Sequence, residues 1–414
     1  MGYTNKQDQM LHLFFVTHDY SGVKTYANEL IEYFSKQLNI SVHLIFWESV
    51  SFNEYTVIYE KDVVKIHLPA VKGKQRDLIK YSSRCIDLMS HIVNDKEQII
   101  FHLNYAFQLY FGLEARNRFG AKLIYTMHFV HQGFSSLADV EYDKLVDIDT
   151  LVEAVEKKMI QDVDRIICVT HFAKKMLVEY LKISEKKVFA IHNGNGSDNT
   201  NIQLLDTQRR EIKKKLGFSE TEHILLFVGR LESRKGIQHL IRAFNKLDHP
   251  NIRLVLIGDG RFDTGFEFAY NNWGRITFTG KIKPNDVSLF YSIATIGIIP
   301  STYEQCSYVA IEMMKNALPI IVAASPGLIE LFEHYENAIV IPLYKQTDNV
   351  MKLEIHDDEL AEAMDCLLKN DVLRKKLGQN ARNTWELNNH SEKMGNKTID
   401  LYKQLINYED LQTL

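Results

Sequence analysis

The chain has 414 residues, a length that predicts two or three domains at roughly 150 residues per domain. Hydrophobic residues make up 45% of the sequence and charged residues 25%, which is typical of a globular protein and excludes a disordered chain, a collagen and a small disulfide scaffold. The formal net charge of −4 and the lack of a basic half disfavour a dedicated nucleic-acid binder.

The sequence gives no sign of a targeting or membrane-spanning segment. The first ten residues are polar, and the apolar run at 11–16 is too short for the core of a signal peptide. No stretch approaches the ~18 apolar residues that cross a bilayer, and the four cysteines are scattered without a CxxC pair. We therefore expect a cytoplasmic protein with reduced thiols. His128 and His131 have no third ligand nearby, so we expect no metal site.

Short apolar runs alternate with stretches of helical spacing along the whole chain. In the first half, strands are predicted at 11–16, 41–47, 98–103, 122–127, 165–169 and 187–191, and helices at 23–37, 76–92, 106–118, 149–161 and 171–182. In the second half, strands are predicted at 223–229, 252–258, 275–280, 295–300, 318–323 and 338–342, and helices at 211–217, 357–369, 371–387 and 391–407. Apolar runs of about four to eight residues between helices are typical of parallel βαβ units. The pattern predicts an α/β protein with two doubly wound, Rossmann-like domains.

A polar segment rich in Asn, Gly and Asp at 193–210 has the composition of a linker, and we place the domain boundary at 198/199. Ligands of doubly wound sheets bind outside the carboxyl ends of the strands, and a cleft between two domains is a preferred place for a ligand. The residues that follow the predicted strands are therefore the candidates for function.

The most informative of these turns follows strand 295–300. It carries two acids eight positions apart, Glu304 at the predicted entrance of a helix and Glu312 about two turns into it. A helix N-terminus suits a phosphate, and a carboxylate accepts paired hydrogen bonds from vicinal hydroxyls of a ribose or a hexose. The pattern predicts a site for a sugar nucleotide, and a solvated helix terminus is the alternative.

Three further turns carry candidate side chains. Arg230 and Lys235 follow strand 223–229 and could neutralise a diphosphate, unless the loop is merely solvated. Gly22 in the first strand–helix turn would let the backbone approach a ligand. His128 follows strand 122–127 and could bond a sugar hydroxyl, although, taken alone, a loop histidine with an ordinary structural role is the favoured interpretation. The Asn-Gly after strand 187–191 is interpreted as a turn.

Taken in order, these motifs resemble the retaining nucleotide-sugar glycosyltransferases of family 4, which have the GT-B fold. The resemblance rests on VGRLxxxKG, LxxIGDG (254–260), ITFTG (276–280), E-x7-E and SPGLIE (325–330), and in the first half on HDYSG, the TMH of strand 122–127, ICVTHFAKK and IHNGN. It implies two Rossmann-like domains facing across a cleft. The acceptor domain would comprise 1–198 joined by the terminal helix at 391–414, and the donor domain would comprise 199–390.

The resemblance also implies a role for each candidate. Arg230 and Lys235 would bind the donor diphosphate, Glu312 the ribose and Glu304 the donor sugar. Backbone amides of Ser307, Tyr308 and Val309 would meet the sugar hydroxyls or the distal phosphate, Gly22 would lie near the phosphates, and His128 would contact the donor sugar near the reacting carbon.

The implied reaction moves a hexose or N-acetylhexosamine from a nucleoside-diphosphate sugar to an acceptor hydroxyl with retained configuration. A UDP-sugar is favoured over a GDP-sugar. The scheme needs no metal and no cofactor, and the pair Asp147 and Asp149 is interpreted as helix capping. The acceptor stays open among a glycan, a lipid-linked molecule, a peptide and a small molecule, with its pocket expected at 50–80 and 130–148. We interpret the basic stretch at 72–84 as a solvated helix face. Contact with an anionic acceptor or with the inner face of a membrane is the alternative.

The chain departs from the family at Gln305-Cys306-Ser307, where Gly-Phe-Gly is usual, and its first loop has one glycine where many members have two. The departures leave two alternatives open. One is a non-catalytic GT-B subunit that binds a partner or a glycan. The other is a different GT-B enzyme, a sugar-nucleotide epimerase or a phosphorylase.

Overall fold

The computed structural model describes residues 10–18, 23–70, 77–93, 98–129, 150–196, 206–260, 268–269, 272–345 and 353–410. The chain divides into two compact units. The first unit comprises Met1–Ser197 and Ser391–Leu414, and the second comprises Asp198–His390. Each unit contains a parallel sheet with helices, so the predicted α/β class with two such domains is confirmed.

The first unit contains an eight-stranded sheet within its described residues, in the order β3-β4-β2-β1-β5-β6-β7-β8. Its strands are β1 (Leu11–Thr17), β2 (Ile40–Ser49), β3 (Thr56–Tyr59), β4 (Val63–Pro69), β5 (Gln98–Leu103), β6 (Lys122–Met127), β7 (Arg165–Cys168) and β8 (Val188–Ala190). All neighbours are parallel except β3 and β4. The strand order reverses between β1 and β5, which is the switch point of a doubly wound sheet.

Helices connect these strands. They are α1 (Lys24–Ser35), α2 (Leu78–Val93), α3 (Leu109–Phe119), α4 (Thr150–Asp162) and α5 (His171–Lys175), which continues as a π-helical turn at Met176–Tyr180. The core of the unit contains fully buried aromatic residues, including Phe14, Phe101 and Phe111. Because both faces of the sheet are covered, its central strands are almost continuously apolar, and this is why apolar runs predicted them.

The second unit contains a six-stranded parallel sheet in the order β11-β10-β9-β12-β13-β14. Its strands are β9 (His223–Val228), β10 (Ile252–Ile257), β11 (Ile276–Gly280), β12 (Ile296–Ile299), β13 (Ile320–Ala323) and β14 (Ile339–Ile341). Counted from β9, this is the 3-2-1-4-5-6 order of dinucleotide-binding folds, with its switch point between β9 and β12. A separate two-stranded ladder pairs β15 (Tyr344–Lys345) with β16 (Leu353–Glu354).

The described helices of this unit are α6 (Asp206–Lys215), α7 (Ile237–Asn245), α8 (Pro284–Ile293), α9 (Tyr308–Lys315), α10 (Asp357–Lys369) and α11 (Asp371–Thr384), followed by a π-helical turn at Trp385–Asn389. The helix predicted at 211–217 lies nearer the N-terminus than predicted, at Asp206–Lys215. Gly217 adopts a left-handed φ of 79°, which suits a residue just past the end of a helix.

The terminal helix (Ser391–Asp410) belongs to the first unit and packs against α1. A Cβ at Gly395 would lie 2.2 Å from the ring of Tyr33, so glycine permits the close approach of the two helices. Further along, the buried Tyr402 hydroxyl lies 2.5 Å from Nδ1 of His102, whose Nε2 lies 2.6 Å from Oγ1 of Thr126. A buried polar chain therefore joins the terminal helix to β5 and β6.

This network makes the stability of the first unit depend on pH. Burial lowers the pKa of His102 to about 3, whereas an unfolded histidine titrates near pH ~6.5. The folded state therefore binds fewer protons than the unfolded state between these values, and the free energy of unfolding falls as the pH drops below about 6.5. Between pH 7.5 and 5.5 the loss that comes from His102 is about 1.4 kcal/mol.

Urea unfolding at the two pH values tests this, with His102→Gln as the variant that can hydrogen-bond but not titrate. We expect the pH-dependent loss to be smaller in the variant by about that amount. His91→Gln, at an exposed histidine of α2, is the control and should behave as the unmodified chain. Equal pH dependence in all three proteins would contradict the assignment.

Candidate functional site

The switch point of the second sheet is the site of four predicted side chains. The loop after β9 carries Arg230 and Lys235, and the segment after β12 carries Glu304 and leads to Glu312 on α9. Nζ of Lys235 lies 2.5 Å from Oε1 of Glu304, so the two loops meet through an ion pair. The side chains of this pair are only 21% and 13% exposed. Two of the predicted residues, 69 positions apart in sequence, are thus brought together.

Glycine allows the two loops to lie against each other. Gly236 has a left-handed φ of 72°, and a Cβ there would lie 1.9 Å from the carbonyl oxygen of Pro300. The amide of Thr302 also donates to the carbonyl of Arg234 at 3.0 Å. These backbone contacts fix the loop that carries the cations relative to the turn that carries Glu304.

The start of α9 differs from the sequence prediction. The helix begins at Tyr308, and its N-cap is Ser307, whose hydroxyl accepts from the amide of Ala310 at 3.4 Å. Serine is among the preferred N-cap residues because its side chain satisfies an end amide. Glu304 therefore lies in the turn before the helix rather than at its entrance, and Glu312 lies little more than one turn in rather than two.

The Gln305-Cys306-Ser307 segment, where the family pattern has glycine, is buried. Nε2 of Gln305 donates to the Tyr303 hydroxyl at 3.2 Å, and the Ser307 side chain caps α9. On the other side, the amide of Gly327 donates to the carbonyl of Glu304 at 3.1 Å. The turn is thus held by side-chain and backbone bonds in the conformation that presents Glu304.

Arg230 is more exposed than Lys235. Its guanidinium is 63% exposed and pairs with Glu232 at 3.1 Å within the same loop. An exposed pair of this kind is weak and can rearrange, whereas the partly buried pair of Lys235 and Glu304 is more restricted. Of the two cations, Lys235 is linked through Glu304 to the turn that precedes α9, and a helix N-terminus suits an anion.

Glu312 has a partner that the sequence did not reveal. The hydroxyl of Tyr291 on α8 donates to Oε2 of Glu312 at 2.7 Å. Burial and the neighbouring carboxylate raise the pKa of Tyr291 well above its ordinary value, so the hydroxyl keeps its proton and remains a donor. Tyr291 was missed because an aromatic residue in an amphipathic helix is normally a core residue.

His128 belongs to the first unit, at the carboxyl end of β6. Its Nε2 lies 2.9 Å from Oδ1 of Asn104, and the ring of Tyr26 meets it edge-on with centroids 4.7 Å apart. Burial lowers the pKa of His128 to about 3, so the imidazole is neutral at physiological pH. Asn104 is a second residue that sequence reasoning missed, since one asparagine after a strand is most simply interpreted as a turn.

Several predicted features lie outside the described residues. They are Gly22, the Asp147 and Asp149 pair, the expected acceptor stretch at 130–148 and the first part of the basic stretch at 72–84. In the described part of that stretch, Lys80 is 87% exposed and lies 3.3 Å from Asp77. None of the helices described is long and apolar enough to span a membrane.

Two family models match the chain. The model for glycosyl transferases group 1 matches residues 208–384, and the model for glycosyltransferase family 4 matches residues 20–195. The first match contains the loops of Arg230, Lys235, Glu304 and Glu312, and the second contains His128.

Curated relatives include two uncharacterized glycosyltransferases of Methanocaldococcus jannaschii. The chain is 27% identical to one of them over 62% of its own length and 64% of that protein, and so spans less than two thirds of that relative. It is 26% identical to the other over 87% of its own length and 88% of that protein.

Solved structures share the fold over nearly the whole chain. Sucrose-phosphate synthase from Thermosynechococcus elongatus aligns with a TM-score of 0.75 at 20% identity, covering 95% of this chain and 99% of that one. Anabaena HepE in complex with UDP-glucose aligns with a TM-score of 0.72 at 15% identity, covering 95% and 100%.

The turn that carries Glu304 depends on glycine at position 327. A Cβ at Gly327 would lie 1.4 Å from the carbonyl oxygen of Gln305, so Gly327→Ala must displace the turn. We expect a loss of about 1–3 kcal/mol in the free energy of unfolding of the second unit, the usual range for overpacking. Gly274→Ala is the matched control, because no atom lies within 4 Å of a Cβ there. Denaturant unfolding compares the two, and equal stabilities would contradict the assigned contact.

Proposed function

We propose that this chain, a glycosyltransferase by its two family-model matches, moves a hexose or N-acetylhexosamine from a nucleoside-diphosphate sugar to an acceptor hydroxyl with retained anomeric configuration. The observation that carries this proposal is the ion pair of Lys235 and Glu304 at the switch point of the second sheet. It sets a cation beside an acceptor of hydroxyl hydrogen bonds. A nucleoside-diphosphate sugar carries a phosphate, which binds a cation, next to sugar hydroxyls, which donate to a carboxylate.

The donor phosphates are bound by charge and by backbone donors. Lys235 provides a fixed cation, and the mobile guanidinium of Arg230 provides a second one with a planar fork of donors. Ser307 already satisfies the amide of Ala310. The amides of Tyr308 and Val309 in the first turn of α9 are then the groups that meet the distal phosphate or a sugar hydroxyl.

The nucleoside is bound through its ribose. Glu312 accepts hydrogen bonds from the two vicinal hydroxyls, and Tyr291 orients the carboxylate through its bond to Oε2. UDP is the favoured nucleotide, because the structurally similar HepE has been solved with UDP-glucose, and GDP is the alternative.

Transfer breaks the bond between the anomeric carbon and the phosphate oxygen and forms a bond from that carbon to the acceptor oxygen on the same face. The acceptor proton passes to a phosphate oxygen of the leaving nucleoside diphosphate. Arg230, Lys235 and the start of α9 stabilise the negative charge that develops on that leaving group. On this proposal, these charges take the place of a metal ion in the reaction. We further propose that His128 contacts the transferred sugar and that the first unit binds the acceptor.

Removing either cation tests the donor site. Loss of a charged hydrogen-bond partner costs about 1.5–3 kcal/mol, so Arg230→Ala or Lys235→Ala should weaken UDP and UDP-sugar binding roughly ten- to hundredfold. Isothermal titration calorimetry with UDP, GDP, UDP-glucose and UDP-N-acetylglucosamine measures this and ranks the donors. Lys215→Ala, at an exposed lysine that ends α6, is the control. Unchanged UDP affinity in both cation variants would refute the assignment.

Substitution of Glu312 should lower the affinity for UDP, whereas substitution of Glu304 should mainly lower kcat. Glu312→Gln should weaken free UDP and the UDP-sugar alike, because both carry the ribose. Glu304→Gln should leave UDP affinity nearly unchanged and lower kcat, because its contact matters as the sugar becomes oxocarbenium-like. UDP affinity and steady-state transfer are measured for each variant. Equal loss of UDP affinity in both would show that Glu304 does not face the sugar.

A further inference from the structure

Asn104 lies at the switch point of the first sheet, directly after β5. Its side chain is buried, with 3% of the residue exposed. Nδ2 lies 2.8 Å from the carbonyl oxygen of Val16 on β1, and Oδ1 lies 2.9 Å from Nε2 of His128 after β6. One amide therefore connects the ends of three strands, and one of its two contacts is the imidazole that the proposed function assigns to the donor sugar.

The chemistry of these contacts fixes the proton on the imidazole. A carbonyl oxygen only accepts, so the group of Asn104 that faces Val16 must be the NH₂. The group that faces His128 is then the amide oxygen, which also only accepts. Nε2 of His128 must therefore carry the hydrogen, and in a neutral ring Nδ1 is left as an acceptor.

The surroundings hold both the amide and the ring in place. Oε1 of the buried Gln108 accepts from the backbone amides of Asn104 and Tyr105 at 2.8 and 3.2 Å, which fixes the turn after β5. The ring of Tyr26 packs edge-on against the imidazole, and its hydroxyl lies 3.1 Å from Oγ1 of Thr126. Rotation of the imidazole would break the bond to Asn104.

The titratable neighbours leave the imidazole uncharged. Burial lowers the pKa of His102, on the adjacent strand, to about 3, and raises the pKa of Tyr26 above its ordinary value. Both groups are thus neutral at physiological pH, as is His128 itself. Among the described residues, no side chain or backbone group bonds Nδ1 of His128.

We propose that Asn104 is a positioning residue that holds His128 as the Nε2–H tautomer and thereby presents Nδ1 as a hydrogen-bond acceptor to a hydroxyl of the transferred sugar. The identity of the ligand, a sugar, rests on the proposed function. The contacts of Asn104 and the tautomer of His128 do not. It makes His128 a neutral acceptor that binds and orients the sugar, and not a proton donor to the leaving group.

The tautomer is measured directly by NMR of the full chain labelled with ¹⁵N-histidine, with His128 assigned from the spectrum of His128→Gln. We expect a protonated Nε2 and an unprotonated Nδ1, unchanged between pH 6 and 8. Asn104→Ala removes the acceptor and should give a mixture of tautomers. Asn104→Asp places a carboxylate beside Nε2 and should make His128 titrate within the measured range. Tyr59→Phe, at an exposed tyrosine of β3, is the control and should retain the unmodified spectrum.

Kinetics then connect the tautomer to transfer. We expect Asn104→Ala to lower kcat roughly ten- to hundredfold, the usual effect of a misplaced group, and the control Tyr59→Phe to leave it unchanged. Asn104→Ala should cost nothing further in a His128→Ala background, because it acts through that ring. Equal losses in both backgrounds, or an unmodified His128 spectrum in Asn104→Ala, would overturn the inference. No transfer by the unmodified chain would instead refute the proposed function, and the spectra would still decide the role of Asn104.

Discussion

The position of the candidate site residues depends on the switch point of each sheet, where the strand order reverses. In the second unit the neighbours at this point are β9 and β12, and the chain leaves their carboxyl ends in opposite directions. A crevice therefore opens between the two segments that follow these strands, and a ligand can bind there in contact with both. The glycine at 236 lets them approach until Lys235 reaches Glu304. The charged pair is a consequence of strand order and of one backbone position without a Cβ.

The two units use their switch points for different chemistry. The second presents charges, with Arg230, Lys235 and the start of α9 suited to an anion. The first presents a neutral imidazole whose proton is fixed by Asn104, in a network where burial keeps the histidines uncharged. The proposed donor is likewise charged at its diphosphate and neutral at its sugar.

The sequence predicted the strands that are buried on both faces and missed β3 and β4. Those two lie towards one edge of their sheet with mostly half-exposed side chains. Lys65 and His67 interrupt the apolar run of β4, and β3 is only four residues long. The candidate cations and acids could be chosen because they follow strands. Their pairing could not be predicted, because the adjacency of β9 and β12 is a property of the folded sheet. Tyr291 and Asn104 act through partners far away in sequence, and no local pattern marks them.

We propose that the nucleoside diphosphate binds at the switch point of the second sheet. Hydrogen–deuterium exchange of the full chain, with and without saturating UDP, tests this placement. We expect slower exchange of the backbone amides in residues 230–236 and 304–312 when UDP is bound. Unchanged exchange in both segments while calorimetry shows UDP bound would contradict it.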